Sequence, residues 1–118
     1  MVNKRGRWSL EKLVKGDVIV IPFPFSDLSS AKKRPALIIS VLEGDDVILC
    51  LITSSRSDIY SIKLQNSDFK QGKLDINSHI RPNRLFTADK SLILYKAGNL
   101  NKNKMQEVID KIILILNY

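Results

Sequence analysis

From Asp17 onward the chain is written in short apolar runs of strand length. "DVIVIPFP", "RPALIISV" and "VILCLIT" are rich in Val, Ile and Leu, and turn residues such as "EGDD" at Glu43 to Asp46 separate them. Three such runs in succession predict an antiparallel meander. Shorter segments follow, "IYSIKL" at Ile59 to Leu64, "NSHIRP" at Asn77 to Pro82 and "RLFTA" at Arg84 to Ala88, at spacings typical of a small barrel or strongly twisted sheet. Only the last stretch changes period: Met105, Val108, Ile109, Ile112 and Leu116 recur at helical spacing after Asn101, a capping candidate. The predicted fold class is mainly β with helices (α+β): a small barrel or twisted antiparallel sheet with an amphipathic C-terminal helix packed on it.

A chain of 118 residues with 44% apolar content fills one core, so residues 16–118 are expected to form a single domain preceded by a basic N-terminal extension, residues 1–15. Within that extension Ser9 to Lys15 carries the signals of a helical turn, with Ser9 as N-cap and Gly16 as stop. No internal repeat or low-complexity linker interrupts the domain. The apolar runs are far shorter than a bilayer span, and no long hydrophobic stretch follows the basic residues Met1 to Arg7. A cytoplasmic protein without a membrane segment is expected. The only cysteine, Cys50, lies inside "VILCLI", which excludes an intrachain disulfide and predicts a buried, inert thiol. One Cys and one His supply no zinc-type cluster, so neither metal nor cofactor is expected. Nineteen Lys and Arg against twelve Asp and Glu give a formal charge of +7, which favours an anionic partner: nucleic acid, an anionic membrane or an acidic protein.

The stretch "IPFPFSDLSSAKKRPALIIS", Ile21 to Ser40, combines two rule-breaking features. In a strand the N–H groups of residues i and i+2 point to the same side, so Pro22 and Pro24 remove two donors from one edge of the first strand. That edge takes no neighbour there. One reading is a blunted edge that prevents aggregation; the other is an open mouth beside a site, because the cations Lys32 to Arg34 follow and run directly into a core strand. Phe23 and Phe25 then belong either to the core or to a stacking surface.

Taken together, these residues resemble the MazF/PemK group of bacterial toxins, the ribonuclease halves of toxin–antitoxin pairs. The resemblance rests on Gly16-Asp17 opening a first apolar strand, Arg34-Pro35 before a second, "ITS" at Ile52 to Ser54 ending a third, and a late Thr-x-Asp-Lys at Thr87 to Lys90. It covers roughly Lys15 to Asn117. It implies an SH3-like barrel with attached helices, a homodimer, sequence-specific, metal-independent cleavage of single-stranded RNA at short sequences, and silencing by a cognate antitoxin protein. It also implies site residues. The family's phosphate-binding, catalytic arginine falls on Arg34, and its hydroxyl residue at the end of the third strand falls on Thr53. An Arg-x-Asp found in part of the family matches "RPN", where Arg81 fits and Asn83 departs. An amide exchanges no proton at neutral pH, so another group must serve any step that needs that carboxylate.

Metal-free RNA cleavage uses the neighbouring 2'-hydroxyl as nucleophile, leaving the protein to align the chain, move protons and stabilise a dianionic phosphorane. Arginine suits the last task, since its planar fork grips two phosphate oxygens and stays charged at any working pH. Arg34 and Arg81 are expected to clamp the phosphate from two sides, with Thr53 or Ser54 hydrogen-bonding a nonbridging oxygen. His79, the only histidine, stands two residues before Arg81, and alternation puts both on one strand face. Imidazole is the side chain best suited to moving protons at neutral pH, which makes His79 the candidate proton-transfer group; the alternative is a structural histidine. Lys32 and Lys33 supply general phosphate attraction. Phe25, Tyr60 and Asn83 are the candidates for stacking on bases or reading them, each with a core or turn role as its alternative. Asp27 and Asp89 read as turn formers; Trp8 packs on the barrel or meets RNA. Two other classes remain open on the sequence: a noncatalytic toxin of the same barrel architecture that resembles CcdB and poisons DNA gyrase, and a nucleic-acid-binding barrel without activity.

Overall fold

Both faces of the central strands are buried, which is why they read as unbroken apolar runs. In a computed structural model that describes residues 12–24, 30–54 and 57–118, β1 (Asp17–Phe23), β2 (Lys32–Val41), β3 (Asp46–Thr53), β4 (Ile62–Leu64), β5 (Phe69–Gly72), β6 (Ser78–Asp89) and β7 (Tyr95–Leu100) form one sheet, followed by α1 (Lys102–Leu116). The spatial order is β4-β6-β3-β2-β1-β7-β5 and every pairing is antiparallel. Successive residues of β1 divide between two cores. Val18 packs with Leu37, Cys50, Ile52, Ile80 and the α1 residues Met105, Val108 and Ile112, whereas Ile19 and Ile21 pack with Ala36, Ile38, Val47 and Leu49. The first cluster also takes Ile62 and Leu64 from one edge strand and Phe69 from the other. A sheet whose opposite edges share one core is curled, here into a half-barrel closed by α1. The expected architecture is observed.

The first turn differs from expectation. Its described part, residues 12–16, is not helical, and Ser9 lies outside the described residues. Gly16 adopts φ +93°, open to glycine without strain, and its N–H and C=O bond Ile38 and Leu100 at 2.9 Å. The buried Asp17 then replaces a helix cap, its Oδ2 accepting the Val14 N–H at 2.8 Å.

Two segments expected to be separate, Asn77–Pro82 and Arg84–Ala88, are one strand, β6. The pairs Ile52↔Ile80 and Cys50↔Leu85 leave only Leu51 of β3 facing Arg81 to Arg84. This wide bulge accommodates the buried Pro82 without breaking the ladder. β5 and β7, "FKQG" and "YKAGNL", carry too few apolar residues to be read as strands. In α1, Asn101 accepts the Lys104 N–H at 2.8 Å, as expected of a cap. Leu116, expected on the buried stripe, is 70% exposed, and the buried stripe of α1 ends at Ile112. Among the described residues no helix is long and apolar enough to cross a membrane.

Candidate functional site

Pro22 opens an edge, while Pro24 follows a cis peptide bond beyond the end of β1. The Val20 carbonyl accepts the Leu94 N–H at 2.8 Å, so the backbone of Val20 faces β7, and Pro22, two residues on, faces the same way without an N–H to offer. The β1–β7 pairing ends at Val20↔Tyr95. Beside this point lies a cleft of about 270 Å³ whose lining includes Lys33 and Arg34 of β2, Thr53 and Ser54 at the end of β3, Asp75, and Tyr95 of β7.

Arg34 and Thr53 stand near adjacent ends of neighbouring strands. The β2–β3 ladder ends at Ala36↔Leu51, and each of the two lies two residues beyond that pair. Thr53 is in turn paired with His79, and His79 with Lys63 of β4. Residues directly opposite in antiparallel strands share a face. By alternation Arg34 and Lys32 stand on the face of Ala36, whereas Lys33 shares the face of Leu37 with the cleft residue Ile52; Lys32, His79 and Asn83 do not line the cleft. Arg34, Lys32 and Lys63 are exposed, and Thr53 and His79 are half-buried. Among the described residues Arg34 has no ion-pair partner. His79 Nδ1 is buried without a hydrogen-bond partner among them.

Arg81 is placed otherwise. It is 9% exposed, does not line the cleft, and its Nη2 forms a 2.8 Å ion pair with Asp58 Oδ2, while its Nε is buried without a partner among the described residues. Two arginines gripping one phosphate from opposite sides is therefore not the geometry observed, because Asp58 holds the second guanidinium. Asn83 Nδ2 donates to the same Asp58 oxygen at 3.3 Å, and Ser61 Oγ reaches Oδ1 at 3.2 Å. The carboxylate that "RPN" lacks in sequence thus arrives from the β3–β4 connection. The Tyr60 N–H on Oδ1, followed by the Arg81, Asn83 and Ser61 donors, lowers its pKa from 3.8 to about 2. Such a group remains an anion at neutral pH and is a poor proton acceptor.

Sequence reasoning did not single out Asp58 or Asp75. The pattern "SDIYS" carries a local signal for Asp58, an Asp accepting the N–H two residues on, but nothing in the sequence points across to Arg81. Tyr60 is half-buried with its ring 6.1 Å from that of the exposed Tyr118. Phe25, Asp27 and Trp8 lie outside the described residues. Asp89 forms a turn, accepting the Ser91 N–H at 2.8 Å. Cys50 is buried, its Sγ donating to the Arg81 carbonyl at 2.9 Å, and burial pushes the thiol up to about 12. Among the described residues no group of three or more His, Cys, Asp and Glu side chains is placed to hold a metal ion.

Residues 14–116 match the model of a family described as PemK-like, MazF-like toxins of type II toxin–antitoxin systems. Against individually curated proteins the sequence has no match. Among solved structures, an endoribonuclease in complex with its cognate antitoxin from a mycobacterial species superposes with TM-score 0.72 at 16% identity, covering 90% of this chain and 96% of that one. A second mycobacterial endoribonuclease gives 0.68 at 18% identity over 89% and 91%. A chain of the MazE–MazF complex from Deinococcus radiodurans gives 0.70 at 16% identity over 89% and 96%.

Proposed function

The chain belongs to the PemK-like, MazF-like toxin family of type II toxin–antitoxin systems, and from that premise we propose that it is a metal-independent endoribonuclease acting on single-stranded RNA. The observation that carries this reading is a cleft whose lining includes both an exposed arginine and a threonine of neighbouring strands, Arg34 and Thr53.

In the proposed reaction the 2'-oxygen of a ribose attacks the adjacent phosphorus as its proton is removed. The phosphorus–O5' bond breaks, and the departing oxygen takes up a proton. The products are a 2',3'-cyclic phosphate and a 5'-hydroxyl end. Arg34 neutralises the nonbridging oxygens as charge builds on them, and Thr53 or Ser54 hydrogen-bonds one of them. His79 moves the proton, a role supported by its pairing with Thr53 across the ladder. Asp58 orients Arg81 rather than exchanging protons, so Arg81 adds field to the site without gripping the phosphate. Lys32 supplies general attraction. The protein is proposed to act as a cytoplasmic homodimer, silenced by a separate antitoxin whose acidic segment competes with RNA for the basic surface.

The test is incubation of the purified protein with a long RNA in excess EDTA, with mapping of the ends. Arg34→Ala and Thr53→Ala are expected to lower kcat by about a hundredfold or more, and Arg34→Ala to leave the unfolding midpoint near the wild type. Failure of the wild type to cut under any salt condition would sink the nuclease and leave the gyrase-poisoning or inactive nucleic-acid-binding barrel.

A further inference from the structure

The row that begins at Thr53 does not stop at His79. Its next member is Lys63, in the edge strand β4, paired directly with His79. Its neighbours Ile62 and Leu64 are buried in the core shared with α1, so by alternation Lys63 projects from the opposite face, the one that carries Thr53 and His79. Thr53, His79 and Lys63 are thus paired in one row across β3, β6 and β4, and Arg34 of β2 stands on the same face two residues beyond the last β2–β3 pair; of these four, Arg34 and Thr53 line the cleft. With neighbouring strands ~4.8 Å apart, three gaps separate Arg34 from Lys63 by about 14 Å. That span exceeds a single phosphate and suits a chain of a few nucleotides.

Two lysines are held by carboxylates; among the described residues Lys63, like Lys32, Lys33 and Lys102, is not. Lys96 is spent on Asp17 at 3.1 Å, and Lys104 on Glu107 at 2.9 Å and Asp68 at 3.6 Å. Lys63 is exposed and has no ion-pair partner among the described residues. An unpaired ammonium fixed by a strand, on the same face as Arg34, meets a phosphodiester at lower ordering cost than one on a loop.

Resting on the nuclease reading, we infer that Lys63 is a distal phosphate subsite: the RNA backbone crosses the strands from β2 to β4, with the scissile phosphate at Arg34 and a neighbouring phosphate on one side of it at Lys63. Lys63 contributes to capture of substrate and not to the chemical step. Removing one phosphate contact from a single-stranded complex flattens the slope of log Kd against log salt by about 0.7, and the same contact is worth about fivefold in affinity near 0.1 M salt.

The experiment uses the full chain and an RNA oligonucleotide centred on the cut site mapped in the long RNA. One substrate has about six nucleotides on each side; two others are trimmed to a single nucleotide on the 5' or on the 3' side. Lys63→Ala is expected to raise KM about fivefold on the long substrate with kcat unchanged, and to flatten the salt slope by about 0.7. Trimming one particular side should abolish the difference from wild type, and Lys63→Arg should restore it. Lys102→Ala, an exposed lysine at the start of α1, is the control and should resemble wild type. If Lys63→Ala matches this control on the long substrate while the wild type cuts normally, the subsite is wrong and the nuclease reading stands. An equal KM increase on all three substrates would also overturn it. If the wild type neither binds nor cuts any RNA, the nuclease reading itself has failed.

Discussion

Two aspartates do opposite work. Asp17 is 1% exposed and fully engaged: Lys96 Nζ at 3.1 Å, the Asn99 amide at 2.8 Å and the Val14 N–H at 2.8 Å hold both of its oxygens. It ties the segment before β1 to β7, a structural task. Asp17→Ala leaves the Lys96 ammonium, the Asn99 amide and a backbone N–H without their acceptor, and is expected to cost about 3 kcal/mol; urea unfolding followed by circular dichroism measures it. A cost below about 1 kcal/mol, within the range of an exposed ion pair, would contradict the buried arrangement. Gly16-Asp17 stands out in the sequence as a pair that opens the first strand. Its partners, drawn from residues 14, 96 and 99, do not, because they come from both ends of the chain.

At the level of elements, the strands that escaped the sequence reading send few apolar side chains into the core, Phe69 and Leu100 with Ala97 beside them, and approach each other closely through glycine. β5 and β7 meet at Gly72↔Gly98, with Gly72 at φ +78°. A Cβ on Gly98 would run into the Gln71 carbonyl oxygen and the Phe69 ring. Gly98→Ala is therefore expected to destabilise by about 1–3 kcal/mol and to raise amide exchange selectively in β5, the edge strand with β7 as its only sheet neighbour. Unchanged exchange there would show that the close contact is not what holds β5. β6 makes the complementary point: its bulge at Arg81 to Arg84 looked like the end of one strand and the start of another, since Pro82 forbids a regular central ladder but not a bulged one.

For the molecule as a whole, a charge of +7 means that acid must work against a protein already rich in cations. Asp58 and Asp89 both have folded-state pKa values below the ordinary 3.8, Asp58 near 2, through hydrogen bonds chiefly from backbone N–H groups of Tyr60 and Ser91. A depressed folded pKa adds stability that is present above the unfolded value and disappears as pH falls through the folded one. The urea midpoint should therefore hold steady from neutrality to about pH 4 and fall between about pH 4 and about pH 2. Asp58→Asn should weaken that fall, whereas an identical pH profile for the variant would detach Asp58 from it. The chain's polymer logic decides which parts of this were legible. Periodicity, the Asn101 cap and the turn at Glu43 to Asp46 depend on residues within a few positions of one another, so the sequence alone determined short strands, a curled antiparallel architecture and the terminal helix. Arg81 against Asp58, 23 residues apart, and the row of Thr53, His79 and Lys63 with Arg34 on the same face depend on strand register. Only the tertiary structure decided them, because a register is fixed by which side chains fill a shared core and where a bulge absorbs the surplus residues.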